Sequence, residues 1–338
     1  MVLSDHYPLD APVLVAGAGG FIGGHLVRAL EEQGFLHIRA VDQKPVAQWF
    51  QRGSRATMIE ADLRRREACA AVTEGAAVVF NLAADMGGMG YIEQNKLNCM
   101  LSVLINTHLL EAAAACRVER YFYASSACVY RADLQAVTEA RPLREQDAYP
   151  AMPEDGYGWE KLFSERMCAH FAAETPISTR VARFHNVYGP HGSYDGGREK
   201  APAAICRKVA QAKLNGVHEI EIWGDGEQTR SFLYIDDAIG GLQALTTSEV
   251  AEPTNLGSDR LISINTLVDL VEEIAGIRCR RSYVPTAPLG VRGRNSDNTF
   301  VTAAVGWSPS VSLEAGLART YQWIYDQLSQ GRCMAEAQ

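Results

Sequence analysis

The N-terminal region of the 338-residue chain has neither a basic start nor an unbroken apolar run. Residues 1–10 contain no lysine or arginine, and glycines interrupt the apolar run at 12–22, so neither a signal peptide nor a membrane span is predicted. The eight cysteines include no CxxC pair and no histidine at metal-ligand spacing, which argues against a metal site. Free thiols are the default in a reducing compartment, and we therefore expect a cytoplasmic protein.

An excess of positive charge is also absent. The net charge is −8 at pH 7, which argues against nucleic acid or an anionic membrane as the main partner. A phosphorylated small molecule stays compatible, because its binding depends on where individual Arg and Lys residues lie. The chain has 47% hydrophobic and 21% charged residues and no repeat, as expected for a globular protein.

Residues 13–184 alternate between short apolar runs and helix-length segments. Continuous apolar strands separated by helices predict a parallel sheet that is covered on both faces, hence an α/β doubly wound fold. The predicted strands are 13–16, 38–41, 57–60, 78–82, 121–124 and 179–184. The predicted helices between them are 21–33, 65–72, 91–115 and 157–173.

A glycine motif follows the first predicted strand and opens the first predicted helix. Its spacing is GxxGxxG: the first glycine permits a tight turn, the second lets backbone approach a pyrophosphate, and the third lets the helix pack on the strand. This context predicts a Rossmann-type dinucleotide site. Its residues are Gly17, Gly20, Phe21, Ile22 and Gly23.

An acidic residue at the end of the second strand identifies the dinucleotide. Asp42 lies 19 residues after Gly23, where a carboxylate accepts from the ribose hydroxyls and repels a 2′-phosphate, so NAD is predicted over NADP. Lys44 nearby would weaken that preference. The ends of the third and fourth strands supply the other predicted cofactor contacts, which are Asp62, Leu63, Ala83 and Ala84.

Beyond residue 184 the pattern becomes mixed, with a Gly-rich loop and a Gly/Arg loop at 290–298. We predict an NAD-binding Rossmann domain of residues 1–184, joined by roughly 232–257. Residues 185–231 and 258–338 would form a smaller mixed α/β substrate lobe.

A phenol and an amine lie one helical turn apart at Tyr157 and Lys161, and Ser126 ends the fifth strand. Tyrosine, with a pKa of about 10, is a poor base at neutral pH. A nearby ammonium and the positive nicotinamide would favour the phenolate, which then takes a hydroxyl proton as hydride leaves carbon. Ser126 would hold the same oxygen by a hydrogen bond. We expect this trio to be catalytic, with Tyr157 and Lys161 also contacting NAD.

With the glycine motif, this trio resembles the extended short-chain dehydrogenase/reductase family over nearly the whole chain. The resemblance implies oxidation at C4 of a nucleotide-linked hexose. A dehydratase of this type would carry an Asp-Glu pair where Cys128 stands. A 4-ketone acidifies the hydrogens on C3 and C5, whose inversion needs a base and an acid on opposite faces. Cys128, a thiol tuned towards neutrality, and Lys200 are the predicted pair.

Several longer segments resemble the GDP-mannose 3,5-epimerase family, namely 81–90, 123–128, 183–186, 196–204, 223–232 and 290–298. The resemblance implies a GDP-sugar substrate, a homodimer, and product inversion at C5 alone or at both centres. It also implies substrate contacts beyond the catalytic groups, which are Gly87, Ser126, Ala127, Cys128, Asn186, Glu199, Lys200, Ala201, Lys208, Gln228, Thr229, Arg230 and Arg292. Of these, Arg230 and Arg292 suit a diphosphate because guanidinium matches phosphate geometry.

Two other functions stay open at this stage. One is a 4-epimerase or decarboxylase acting on a UDP-sugar, because such enzymes share the C4 oxidation. The other is a non-catalytic NAD(H) sensor, which would be expected to lack Tyr157 or Lys161, although both are present.

Overall fold

The computed structural model describes residues 2–336 of the chain. Within that range the strands are β1 (Val13–Ala16), β2 (Ile38–Asp42), β3 (Thr57–Glu60), β4 (Val78–Asn81), β5 (Arg120–Ser126), β6 (Pro142–Leu143), β7 (Ser178–Phe184), β8 (Val187–Tyr188), β9 (Glu219–Trp223), β10 (Thr229–Arg230), β11 (Leu233–Tyr234), β12 (Thr254–Leu256), β13 (Ile262–Ser263), β14 (Arg280–Val284) and β15 (Gly293–Ser296). The α-helices are α1 (Phe21–Gln33), α2 (Arg66–Thr73), α3 (Met89–Gln94), α4 (Lys96–Met100), α5 (Val103–Ala115), α6 (Tyr157–Glu174), α7 (Ala201–Asn215), α8 (Ile235–Thr247), α9 (Ile264–Ala275), α10 (Thr299–Val305) and α11 (Leu313–Glu336).

Seven parallel strands form the main sheet in the order β12-β7-β5-β4-β1-β2-β3. Helices α1 and α8 pack against one face, and α2, α5 and α6 cover the other. Strands β1 and β4 are buried along their whole length because both faces are covered. The fold is Rossmann-type, as predicted, and the strand order reverses direction between β1 and β4, where such sheets bind ligands.

The remaining strands form a second lobe with a four-stranded sheet in the order β13-β10-β15-β6. Two further pairs, β11 with β8 and β14 with β9, complete it. The two lobes exchange segments along the chain. Strand β6 precedes the last strands of the main sheet in sequence but pairs with β15, whereas β12 returns from the second half of the chain to pair with β7.

Two sequence predictions about individual elements are wrong. The segment 91–115 was expected to form one helix, but it is divided among α3, α4 and α5. A break falls at Ser102, whose hydroxyl accepts a hydrogen bond from the backbone N–H of Asp85 at 2.9 Å and so anchors a loop next to the cavity described below. The second error is the loop predicted at 290–298, because residues 293–296 form strand β15 instead.

Helices α4 and α5 are unusually apolar. Among the described residues, 96–115 is the stretch with the length and hydropathy of a membrane span. Of its apolar 18-residue segment, 39% is buried inside the molecule. Length and composition are weak support for a membrane span, because the core helices of soluble proteins have both.

Candidate active site

A cavity of about 390 Å³ lies between the carboxyl ends of the main sheet and the second lobe. The main sheet contributes Ser126 and Cys128 after β5, and α6 contributes Tyr157. The second lobe contributes Lys200 at the start of α7 and Arg294 on β15. Both lobes are therefore needed to build the site.

The glycine motif forms a cradle that fits a dinucleotide. Gly17 has a positive φ of 84°, and a Cβ there would lie 2.8 Å from the Ala83 amide nitrogen, so only glycine fits between β1 and β4. A Cβ on Gly20 would meet only the Gly17 carbonyl oxygen, at 3.1 Å. Gly20 also caps α1 without a side-chain hydrogen bond, which leaves the helix N-terminus free for a phosphate.

The acidic residues predicted to contact the cofactor flank this cradle. The Asp42 carboxylate accepts from the Gly19 amide at 3.1 Å and from the Lys44 amide at 2.9 Å, which fixes it at the edge of the glycine turn. The Lys44 ammonium donates to the Gly19 carbonyl at 3.0 Å and is thus held by backbone. Asp62 is paired with Arg64, which lowers the pKa of its carboxyl. Leu63 is buried beneath this turn.

Lys161 is fixed by a buried polar network. Its ammonium donates to the Tyr123 hydroxyl at 3.1 Å, and that hydroxyl donates to the Glu160 carboxylate at 3.1 Å. The ammonium also lies 3.6 Å from the other Glu160 oxygen and 5.5 Å from the centre of the Tyr157 ring. The amine is therefore placed next to the phenol, as the one-turn spacing predicts.

The pKa of Tyr157 is set mainly by its burial. Burial raises its pKa well above the usual range, and the Cys128 and Glu160 side chains raise it further. A hydrogen bond with the Ser126 side chain acts in the opposite direction. The protein side chains alone therefore do not favour the phenolate, because desolvation of the buried ring is the largest cause of the shift.

Cys128 is buried at the end of β5 in a short 3₁₀ turn, and Arg294 donates a hydrogen bond to its sulfur at 3.4 Å. The other guanidinium nitrogen lies 3.6 Å from the Glu154 carboxylate, and Gln135 accepts from the Arg294 Nε at 2.5 Å. Burial raises the pKa of the thiol, with Glu154 adding to the rise and Arg294 opposing it. The protein side chains alone therefore do not tune the thiol towards neutrality, and the tuning that we expect would have to come from the charge of bound NAD.

Lys200 directly precedes α7 and occupies its N-cap position. Burial lowers the pKa of its amine, whereas Cys128 acts to raise it. Desolvation of the buried amine is the main cause of this lowering. The cavity therefore holds a thiol with a raised pKa and an amine with a lowered one.

Two segments singled out in the sequence meet beside this pair. Arg198 forms an ion pair with Asp85 at 2.8 Å and stacks 3.8 Å from the Tyr91 ring centre, and the Gly88 amide donates to the Arg198 carbonyl. Glu199 accepts from the Gly197 amide at 2.7 Å and faces Arg207 at 3.2 Å. These contacts hold the loop that carries Lys200 over the cavity.

Most residues predicted to contact substrate do line the cavity: Gly87, Ser126, Ala127, Cys128, Asn186, Glu199, Lys200, Ala201, Lys208, Gln228 and Arg230. Asn186 reaches it with a positive φ of 42°, a conformation that asparagine tolerates. Thr229 and Arg292 are not among the lining residues. Arg292 is instead paired at the surface with Asp225 at 2.7 and 2.8 Å.

The two cavity arginines differ from Arg292 in their surroundings. Arg230 donates to the carbonyls of Thr229, Leu289 and Val291, and burial together with Arg294 lowers the pKa of its guanidinium. Arg294 lines the same cavity, and the positive charge of these two guanidinium groups favours binding of an anion there.

Sequence reasoning missed Glu154 and Arg294. Arg294 lies on strand β15 and lines the cavity, and taking 290–298 for a loop concealed this. Glu154 comes three residues before Tyr157 in an irregular segment, and no pattern in the sequence marks it.

Comparison with known proteins places the chain among sugar-nucleotide enzymes. Residues 13–257 match the model of the NAD dependent epimerase/dehydratase family. The chain is 45% identical over 317 residues to GDP-mannose 3,5-epimerase 1 of Oryza sativa subsp. japonica and 44% identical to GDP-mannose 3,5-epimerase of Arabidopsis thaliana, covering 94% of this chain and 82% of each relative.

Solved structures share the whole fold. A UDP-glucose 4-epimerase from Thermotoga maritima with UDP-glucose superposes with a TM-score of 0.84 at 26% identity, covering 94% of this chain and 99% of that one. MoeE5 in complex with UDP-glucose and NAD gives a TM-score of 0.77 at 29% identity, covering 94% and 100%.

Proposed function

The chain belongs to the NAD-dependent epimerase/dehydratase family and, within it, to the GDP-mannose 3,5-epimerases, and we propose that it epimerises GDP-mannose through a 4-keto sugar. Inversion at C5 alone gives GDP-L-gulose, and inversion at C3 and C5 gives GDP-L-galactose. The hydride removed from C4 returns to the same carbon, so the reaction is an isomerisation with no net redox change.

Bound NAD supplies the acceptor for the C4 hydride. Tyr157 takes the proton of the C4 hydroxyl, and Ser126 holds the same oxygen by a hydrogen bond. Lys161, fixed by Tyr123 and Glu160, supplies positive charge near the phenol. Returning the hydride reverses these proton movements, so the trio ends as it began.

The ketone at C4 makes the hydrogens on C3 and C5 acidic. A base removes such a proton to leave an enolate, and an acid on the opposite ring face returns a proton, which inverts the carbon. The directions of the two pKa shifts favour Lys200, with its lowered pKa, as the proton acceptor. Cys128, with its raised pKa, keeps its proton and serves as the donor.

One observation carries this proposal above all others: Cys128 and Lys200 reach the same cavity as Tyr157 from different lobes. A simple 4-epimerase has no use for a second acid/base pair beside its redox tyrosine. The nucleotide would bind along the rest of the cavity, where Arg230 faces the diphosphate and Trp223 offers a surface for stacking. Gln228, whose buried carbonyl oxygen has no partner among the described residues, suits a base amide.

The proposal is tested by incubating the NAD-loaded enzyme with GDP-mannose in deuterated water and analysing the product by NMR. We expect deuterium at C5, or at both C3 and C5, with the C4 hydrogen retained. Turnover of GDP-mannose with deuterium at neither C3 nor C5 would contradict the roles of Cys128 and Lys200.

The second candidate is an enzyme that acts on a UDP-sugar, favoured by the likeness to UDP-sugar enzymes such as the Thermotoga maritima 4-epimerase. Thermal shifts measured with matched GDP- and UDP-sugars separate the two. A larger stabilisation by the UDP-sugar would tell against GDP-mannose.

We further propose that the enzyme works as a homodimer in the cytoplasm, where its free cysteines stay reduced. Helices α4 and α5 pack against α6, and together they expose an apolar patch formed by Leu97, Met100, Leu104, Trp159 and Phe163. Exposed patches of this kind mark interaction surfaces.

Light scattering of Phe163→Glu tests the dimer, with Leu36→Glu, at an exposed apolar residue outside the patch, as control. We expect only the Phe163 variant to become monomeric. A wild-type protein that is already a monomer would refute the dimer.

A further inference from the structure

Glu154 lies in the cavity with an unusual deficit of hydrogen bonds. Both of its carboxylate oxygens are buried, and neither has a hydrogen-bond partner among the described residues. Arg294 forms a long ion pair with this carboxylate at 3.6 Å, and the guanidinium donates its hydrogen bonds to Cys128 and Gln135. A buried carboxylate is thus held in place with its accepting capacity unused.

The backbone fixes where this carboxylate sits. The Glu154 N–H donates to the Cys128 carbonyl at 2.9 Å, so the residue is tied to the turn that carries the thiol. Tyr157 follows one turn later and faces the same cavity. Glu154 therefore lies at the end of the cavity where the sugar ring must sit for proton transfer.

Leaving a buried acceptor unpaired is costly, and such groups in folded proteins call for a partner that completes them. We propose that the Glu154 carboxylate accepts a hydrogen bond from a hydroxyl group of the hexose and thereby selects sugars that carry that hydroxyl. The inference rests on the proposed function only in requiring a nucleotide-linked hexose in this cavity.

The chemistry of the ligand supports the hexose over its other parts. A diphosphate would be repelled by a carboxylate and is better matched by the Arg230 guanidinium, which also lines the cavity. A sugar hydroxyl is a neutral donor, and a hydrogen bond to an ionised acceptor is stronger than one between neutral groups. A site built to bond a hydroxyl rejects analogues that lack it, because its own polar group is then left unpaired.

The test compares the affinities of GDP-mannose and GDP for the NAD-loaded protein by calorimetry, in a Tyr157→Phe background that prevents turnover. Glu154→Ala should weaken GDP-mannose binding about 10- to 100-fold and leave GDP within about twofold. Glu154→Gln, which keeps one accepting oxygen, should lose less affinity for GDP-mannose than Glu154→Ala. Asp155→Asn makes the same chemical change at an exposed neighbour paired with Lys96, and it should change neither affinity.

Monodeoxy analogues of GDP-mannose identify the hydroxyl. For the analogue that lacks the hydroxyl bound by Glu154, Glu154→Ala should cause no further loss of binding affinity. Equal weakening of GDP and GDP-mannose, or no weakening of either, would overturn the assignment. If a UDP-sugar binds better than GDP-mannose, the proposed function fails. The role of Glu154 is then still decided by the ratio of the affinity for the UDP-sugar to the affinity for UDP, measured with and without the Glu154→Ala change. A wild-type protein that binds no sugar nucleotide more tightly than its nucleotide also overturns it.

Discussion

The redox trio and the acid/base pair share one cavity but are built differently. Ser126, Tyr157 and Lys161 all come from β5 and α6, which pack directly on each other, and Lys161 is locked by buried hydrogen bonds. Cys128 also follows β5, but Lys200 comes from the second lobe.

The difference teaches which step depends on which part of the molecule. A hydride and a hydroxyl proton can be handled by groups that one lobe holds rigidly. Inverting C3 or C5 needs groups on two faces of the ring, so it depends on how the lobes meet around the sugar. Changes in the trio should therefore stop all chemistry, whereas changes across the lobes should stop only epimerisation.

The largest effect is expected for Tyr157→Phe. Without the phenolic oxygen no group removes the C4 hydroxyl proton, and without the ketone no hydrogen on C3 or C5 is acidic. The rate at which reduced-nicotinamide absorbance develops and the rate of deuterium incorporation should both fall about a thousandfold. Deuterium exchange that persists at the wild-type rate would show that the two regions work independently.

The pH dependence of deuterium exchange tests the role of Lys200 in the acid/base pair. Because burial lowers the pKa of this amine and the base form is neutral, exchange should rise with pH and level off below the ordinary lysine value of about 10.4. Lys200→Arg stays charged at every pH, so exchange should fall about a hundredfold and the rise should disappear. Lys213→Arg, on the same helix, is the matched control, and an unchanged profile in Lys200→Arg would reject the assignment.

The two arginines predicted from the sequence as diphosphate partners should differ in how much their removal weakens GDP binding. Arg230 lines the cavity, so Arg230→Ala should weaken GDP binding about 10- to 100-fold. Arg292 is paired with Asp225 at the surface, so Arg292→Ala should stay within about threefold. Equal losses in calorimetry would mean that the surface pair opens to bind the nucleotide.

The smallest effect concerns stability. The Arg292 guanidinium lowers the pKa of Asp225 to about 2, so the pair contributes stability above the ordinary aspartate value of about 3.9, and that stability is lost as pH falls towards 2. Since the pair is exposed, Arg292→Ala should cost less than about 1 kcal/mol of unfolding free energy at pH 7. Urea unfolding should show that the difference in unfolding free energy between the wild type and Arg292→Ala is smaller at pH 3 than at pH 7.

Periodicity and motif spacing were sufficient for six of the seven strands of the main sheet and for the redox trio, whereas the short strand β12 was not predicted. Apolar strands and the glycine motif have local signatures, and Tyr157 and Lys161 lie within one helical turn. Sequence spacing says nothing about groups that approach from a distant segment, which is why Arg294 was missed. It also says little about desolvation, which is the largest cause of the raised pKa of both Tyr157 and Cys128.

The central claim is that oxidation at C4 and inversion at its neighbours are separable steps carried by different side chains. Cys128→Ala, given GDP-mannose in deuterated water, tests it with two signals followed together. Reduced-nicotinamide absorbance should still develop, while deuterium incorporation falls about a hundredfold or more. Deuterium entering C3 and C5 at the wild-type rate, or loss of both signals in a protein that still binds NAD and GDP, would contradict it.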